Sequence, residues 1–277
     1  MGKLLLCGTP IGNLEDVSLR ALRVLGEADV IACEDTRRTR KLLSHHGISP
    51  RSMTVYNEGN ERRKADELVG VMTRGKTVVL VSDAGMPGLS DPGYRLVKAA
   101  VEEGVPVEVV PGPSAAISAL AISGLPPGRF VFEGFFSKKP GERRRRIEEL
   151  STERRTIVIF ESPRRVEETL ADLHAGLGER PAALARELTK MHEEVRRGGL
   201  SELLRSVETD PPRGEIVIVV GGAIHDAAEP VENEELARRA KELMDTGVAR
   251  SEALSRVARE LGVRKRQVFD ALLEEKS

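Results

Sequence analysis

Three times in the first 118 residues, a short aliphatic run ends in a loop of glycine, proline and small polar residues, and a helix-spaced segment follows. The loops are GTPIGN (8–13), SDAGMPGLSDPG (82–93) and PGPSAA (111–116). The middle one is the fullest. Residues 78–81 are β-branched and apolar, the mark of a strand buried on both faces. The loop that follows has a backbone thinly clothed by side chains, which a ligand can approach closely. Asp83 falls where the strand ends, and open α/β sheets bind ligands at that edge. Asp91-Pro92 reads as an N-cap and first-turn proline opening a helix over about 92–103. The repeated strand–loop–helix order restricts residues 1–118 to an α/β domain with a parallel sheet.

The rest of that domain fits the same scheme. Lys3–Cys7 reads as the first strand, and Ser18 as the cap of the helix after it. The strand DVIAC ends in Glu34-Asp35 and leads into a basic helix stopped at Gly47. Residues 119–129, with LPPG at 125–128, form a linker. A second α/β unit spans 130–222, with more strands per helix and therefore a mixed sheet. A polar linker over 223–233 precedes a tail, 234–277, of three helical segments in a helix-turn-helix-like pattern, with joints at Gly247 and Gly262.

Composition narrows the function. The 277 residues are 40% apolar and 31% charged, enough for a real core, and the net charge of −1 supplies no global field for nucleic acid. Aromatics are 3% with no tryptophan, which argues against recognition chiefly by stacking on aromatic platforms. The five histidines show no HxxxH spacing and no His/Cys cluster, so no metal is expected. Cys7 and Cys33 lie outside any CxxC spacing and read as reduced, buried thiols. With no leader-like or membrane-length apolar run, the expected location is the cytoplasm. None of these three loops is a GxGxxG or GxxxxGK[ST] motif, so together at one sheet edge they point to a small-molecule pocket without the usual nucleotide fingerprints.

The segments GTPIGNLEDVSLRAL, ACEDTRRTRKLL, VSDAGMPGLSDPG, VPGPSA, FEGFF, FESPRRVEETL, ARELTK and GEIVIVVGG occur in this order over residues 3 to about 222. Together they resemble the tetrapyrrole-methylase-like class of S-adenosylmethionine-dependent methyltransferases. Within it they are most similar to the branch that methylates the ribose 2′-hydroxyl of a cytidine in the decoding region of small-subunit (16S) ribosomal RNA. The resemblance implies two α/β domains with the cofactor in the cleft between them, and a homodimer. It also implies contacts to S-adenosylmethionine from Pro10, from Asp83, Ala84, Gly85 and Met86, and from Ser114 and Ala115. Phe160, Glu161, Ala185, Gly214 and Glu215 would add contacts from the second domain. The tail is similar to a C-terminal extension of the same branch.

Deprotonating a ribose hydroxyl calls for a base. Glu34 and Asp35 are the leading candidates, followed by Glu58 and Glu61, while Glu187 and Lys190 stand in the second unit; each also fits an ordinary solvated or ion-paired role. Asp83 suits an ammonium or a ribose hydroxyl, or a cap for its own turn. Phosphate contacts are expected from Arg37, Arg38, Arg40 and Lys41 beside the pocket, from Arg143 and Arg144, and from Arg264, Lys265 and Arg266 in the tail. The partner is then ribosomal RNA or the assembled small subunit. Two rivals stay open: a methyltransferase of the same fold acting on a tetrapyrrole or protein, and a non-catalytic nucleic-acid-binding regulator.

Overall fold

The computed structural model describes residues 2–223, 232–261, 263 and 265–274. They form two compact units, one up to Ala223 and one beyond it. The first sheet contains β1 (Lys3–Cys7), β2 (Val30–Cys33), β3 (Met53–Val55), β4 (Thr77–Leu80) and β5 (Val107–Val110), in the order β3-β2-β4-β1-β5. Every pairing is parallel. One face buries Leu4, Ala32, Val78 and Leu80 under α3 (Glu61–Thr73) and α4 (Tyr94–Glu102). The other buries Leu5, Ile31, Val79 and Val81 under α1 (Leu19–Glu27) and α2 (Thr36–His45). Strands covered on both faces are why these runs are continuously apolar rather than alternating. Ser18 caps α1 by accepting from Ala21 N. Cys7 and Cys33 are free and buried, and burial pushes the Cys7 thiol up to about 12.

Asp91 does not cap α4. The helix starts at Tyr94 with Gly93 ahead of it. Ser90 takes a left-handed φ of 67°, no side chain caps α4, and the Asp91 carboxyl lies beside Ser82 instead.

The second sheet contains β6 (Phe130–Phe135), β7 (Thr156–Glu161), β8 (Pro181–Arg186), β9 (Glu194–Gly199) and β10 (Ile216–Val220), in the order β6-β7-β10-β8-β9. It is mixed: β6 runs parallel to β7, and the other pairings are antiparallel. The segment EVRRGG forms the edge strand β9, which its charged sequence conceals. On one face Ile157, Ile159, Ile216 and Ile218 pack beneath α6 (Pro140–Glu149), α7 (Val166–Leu177) and α8 (Leu200–Thr209). The other face, with Val158, Ala183, Val217 and Val219, is covered by Ile11 and by Ala116, Ala119 and Leu120 of α5 (Ala115–Ile122). The boundary read at residue 118 therefore falls inside a helix that follows the first sheet and packs on the second.

Arg143 is not an RNA contact. It is 1% exposed, its Nε donates to Asp172 at 2.7 Å, and it pairs with Glu168 at 2.7 Å. The pattern GERRRR does not show which arginine faces inward; α6 packed on α7 decides it. Arg144 shares Asp172 at 3.0 Å from an exposed position.

The second unit holds α9 (Asn233–Asp245), α10 (Arg250–Glu260) and α11 (Lys265–Glu274) around Leu236, Ala240, Leu254, Val257, Val268 and Leu272. Gly262 and Arg264 lie outside the described residues, as does most of the linker read over 223–233. None of the described helices is long and apolar enough to cross a membrane.

Removing a buried ion-pair partner leaves the remaining charge uncompensated. Arg143→Ala is expected to lower stability by about 3 kcal/mol in a denaturant titration. Arg144→Ala is expected to change it by less than about 1 kcal/mol. Equal effects would contradict the buried role of Arg143.

Candidate active site

The three glycine-proline loops meet at one sheet edge. Gly8 N donates to Val110 O at 3.0 Å, and Thr9 and Gly85 exchange backbone hydrogen bonds of 2.9 and 3.1 Å. The Thr9 hydroxyl donates to Ser82 O at 3.2 Å. Gly8 and Gly112 lie back to back: a Cβ on Gly8 would come within 2.7 Å of Gly112 and of Met86 Sδ, and one on Gly112 within 2.8 Å of Gly8. Pro10 and Gly85 are buried, and Asp83, Ala84 and Met86 are half-buried. Ser114 accepts from Ile117 N and so caps α5, which puts the first-turn N–H groups of that helix beside the third loop. A groove of about 480 Å³ runs between Ile11, Pro111, Gly112, Pro113, Ser118 and Thr189. That volume lies in the usual range for a small-molecule site.

A second set of contacts ties the carboxylates together. Asp83 N donates to Glu34 Oε1 at 3.2 Å, and Asp35 N donates back to Asp83 Oδ1 at 3.1 Å. Asp83 Oδ2 faces Arg38 at 3.5 Å. Both oxygens of Asp83 are thus engaged in joining the ends of β2 and β4. Asp35 caps α2 and pairs with Arg37 at 2.7 Å, and that hydrogen bond is the main reason its carboxyl is held down at about 2. Glu34 goes the other way. Burial, opposed by the Asp83 N–H and assisted by the Asp83 charge, raises its pKa. Asp91 is raised to about 7 by burial and by the nearby charges of Glu34 and Asp83. Glu34 and Asp91 are thus both raised beside the Asp83 charge, and Asp91 titrates near neutrality.

The other site residues read from the sequence divide clearly. Ala115, Phe160 and Ala185 join Ile11 in one apolar cluster, so the structure brings both halves together there. Glu161 is on the opposite face, 2% exposed, with its carboxylate held by Thr169 Oγ1 at 2.7 Å and Ser162 N at 2.8 Å. Its side chain is therefore spent inside the second sheet's core. Glu215 N donates to Glu187 at 3.0 Å, Gly214 lies against the same carboxylate, and Lys190 bridges Glu187 and Glu215 at 2.8 and 3.1 Å. Glu61 pairs with Arg95 at 2.6 Å, and Glu58 is exposed. Arg40 and Lys41 are exposed without a carboxylate partner among the described residues. Lys265 donates to Ser251, and Arg266 is exposed and 3.8 Å from Asp270. Sequence reading missed Asp91 as a member of the cluster and Thr189, whose hydroxyl accepts from Asn13 N at 3.0 Å. A loop threonine 176 residues from its partner leaves no local signal.

Residues 3–204 match the family model of the tetrapyrrole (corrin/porphyrin) methylases. The chain belongs to that family. A Thermotoga maritima protein named ribosomal RNA small subunit methyltransferase I is 48% identical over 222 residues, covering 80% of this chain and 99% of that one. A protein of the same name from Mesorhizobium japonicum is 45% identical, covering 98% and 91% of the two chains. In the solved structure of a uroporphyrin-III C-methyltransferase from Thermus thermophilus, complexed with S-adenyl homocysteine, the same fold appears with a TM-score of 0.55. It shares 23% identity over 79% of this chain and 97% of that one.

The carboxyl cluster gives a pH test. Asp91 has a folded pKa of about 7 and an unfolded value near 3.9. Between those limits the folded state binds more protons, so stability falls as pH rises through the window. Asp91→Asn keeps the shape of the side chain without the charge. Its melting temperature is expected to exceed that of the parent at about pH 8, and the difference should disappear as the pH is brought down towards 4. A pH-independent difference would show that Asp91 is ionised throughout.

Proposed function

We propose that the chain transfers a methyl group from S-adenosylmethionine to a cytidine ribose 2′-hydroxyl in the decoding region of small-subunit ribosomal RNA, as a cytoplasmic homodimer. The observation that carries the reading is the junction of three glycine-proline loops at Gly8 and Gly112, in a chain 45–48% identical to proteins named for small-subunit ribosomal RNA methylation. The residues fit the cofactor. The groove beside Gly112 is lined by Ile11, Asp16, Pro111, Pro113, Ser118 and Thr189 and adjoins the N-terminus of α5, whose first-turn N–H groups suit a carboxylate. Pro10, Ala84–Met86, Ser114 and Ala115 would hold it, with Phe160 and Ala185 on the second sheet. When bound, it supplies a methyl group activated by its sulfonium.

The chain's own residues then have three tasks: orient the ribose, exclude water and accept a proton. Glu34 is the carboxylate best placed for the last. Its raised pKa makes it a stronger base than Asp35, whose carboxyl is committed to Arg37 and the α2 cap. Asp83 positions it through the Asp83 N–H bond. Arg40 and Lys41, without a carboxylate partner among the described residues, stand on the helix beside the cluster and suit RNA phosphates. Glu58 and Glu61 recede as bases, one in solvent and the other tied to Arg95.

Glu34→Gln is expected to lower kcat for methyl transfer to the small subunit by about 10²–10⁴ and to leave S-adenosylmethionine affinity by calorimetry intact. Activity unchanged in that variant would remove Glu34 as the base. The tail is assigned to RNA docking. Lys265→Glu with Arg266→Glu should weaken RNA binding and flatten its salt dependence, without altering cofactor affinity. An unchanged salt slope would place the tail away from RNA.

A further inference from the structure

We propose that Phe135, stacked beside Phe160, is the platform on which the base of the acceptor nucleotide lies. The inference rests on the RNA-methylating reading above and names the group that recognises the base. It starts from an irregularity in β6. The strand pairs Phe132 with Val158, Gly134 with Ile159 and Phe135 with Phe160, with a register shift between Phe132 and Gly134. In a regular strand, residues three apart face opposite sides of the sheet. The extra residue at this bulge, with Gly134 at φ 62°, returns Phe135 to the face that carries Phe132. Phe160 is consequently flanked on both sides, with ring centroids 5.0 Å from Phe132 and 5.5 Å from Phe135.

This short run of rings emerges from the core. Phe132 and Phe160 are partly buried, whereas Phe135 is 58% exposed. A phenylalanine left in water forgoes about 2 kcal/mol of burial. The strand is bent to place it there, and Gly134 seats the bend against the middle glycine-proline loop: a Cβ on it would come within 2.9 Å of Ser90 Oγ. Ser90 precedes Asp91, so the exposed ring stands next to the loop that bears the carboxyl cluster.

Cations follow the ring on two loops. The loops leaving the parallel strands β6 and β7 are joined by Arg165, which donates to Phe136 O and Ser137 O at 3.1 Å each. One loop carries Lys138 and the other Arg164, both exposed and without a carboxylate partner among the described residues. An exposed aromatic face with cations on the two loops that follow it matches an unpaired nucleotide, with the base on the ring and phosphates on the cations. Few aromatics are needed for this, because one base requires one exposed face.

The test uses the full chain, which lacks tryptophan. In Phe135→Trp the introduced indole is the sole such fluorophore, and a decoding-region RNA fragment should quench it saturably, while S-adenosylmethionine alone should not. Phe135→Ala should raise KM for the small subunit about tenfold, within the range of a lost base–aromatic stack, with cofactor affinity unchanged. Phe135→Trp should retain the parental KM. An unquenched indole, an unaltered KM in Phe135→Ala, or a loss of cofactor affinity in its place would each overturn the platform. If the parent chain transfers no methyl group to ribosomal RNA, the functional reading fails by itself, and the quenching experiment still decides whether Phe135 meets a base.

Discussion

Gly8 and Gly112 lie so close that neither position has room for a Cβ. The neighbouring strands β1 and β5 leave the sheet side by side, and their loops can only stay together if both are bare backbone at the crossing. Met86 Sδ fills the remaining side of Gly8, which locks in the middle loop as well. Even an alanine there would force backbone apart from backbone, and cores resist such overpacking. The start of α5, the groove beside it and the seating of Ile11 on the second sheet all inherit their positions from this crossing.

Around that fixed point the electrostatics are uneven. Asp35 gives its charge to a helix cap and an arginine, and becomes a weak base. Glu34, Asp83 and Asp91 crowd the adjoining edge, with Arg38 opposite Asp83. Burial and neighbouring negative charge raise Glu34 and Asp91, which is the arrangement a proton acceptor near neutral pH requires. Carboxyls adjacent in chain or in space thereby take different work, and the difference lies in which backbone N–H groups and guanidiniums each one meets.

Much of this was legible in the sequence. The parallel first sheet followed from continuous apolar runs ending in glycine-proline loops, and the mixed second sheet from its excess of strands. Glu34 and Asp83 stood out because each terminates a strand. What escaped shares one cause: contacts between residues far apart in the chain. Asp91 has the local look of an N-cap and is diverted by Ser82. Arg143 looks like one of four equivalent arginines and is buried by α7. Glu161 ends a strand just as Asp83 does, yet its pleat position turns it into the core with Thr169. The strand β9, charged throughout its middle, forms because β8 offers it an edge.

Chain order assigns α5 to the first sheet, and packing assigns it to the second. The two halves are thus not interchangeable modules. A gene fragment beginning after Ile122 would leave the second sheet with Val158, Val217 and Val219 uncovered, and one ending there would leave the first half carrying an apolar helix with no sheet to cover. Recombination can swap such a protein's tail or its surface loops. It cannot exchange one sheet for a relative's without also exchanging the helix that seals it, so the pair has to be inherited together.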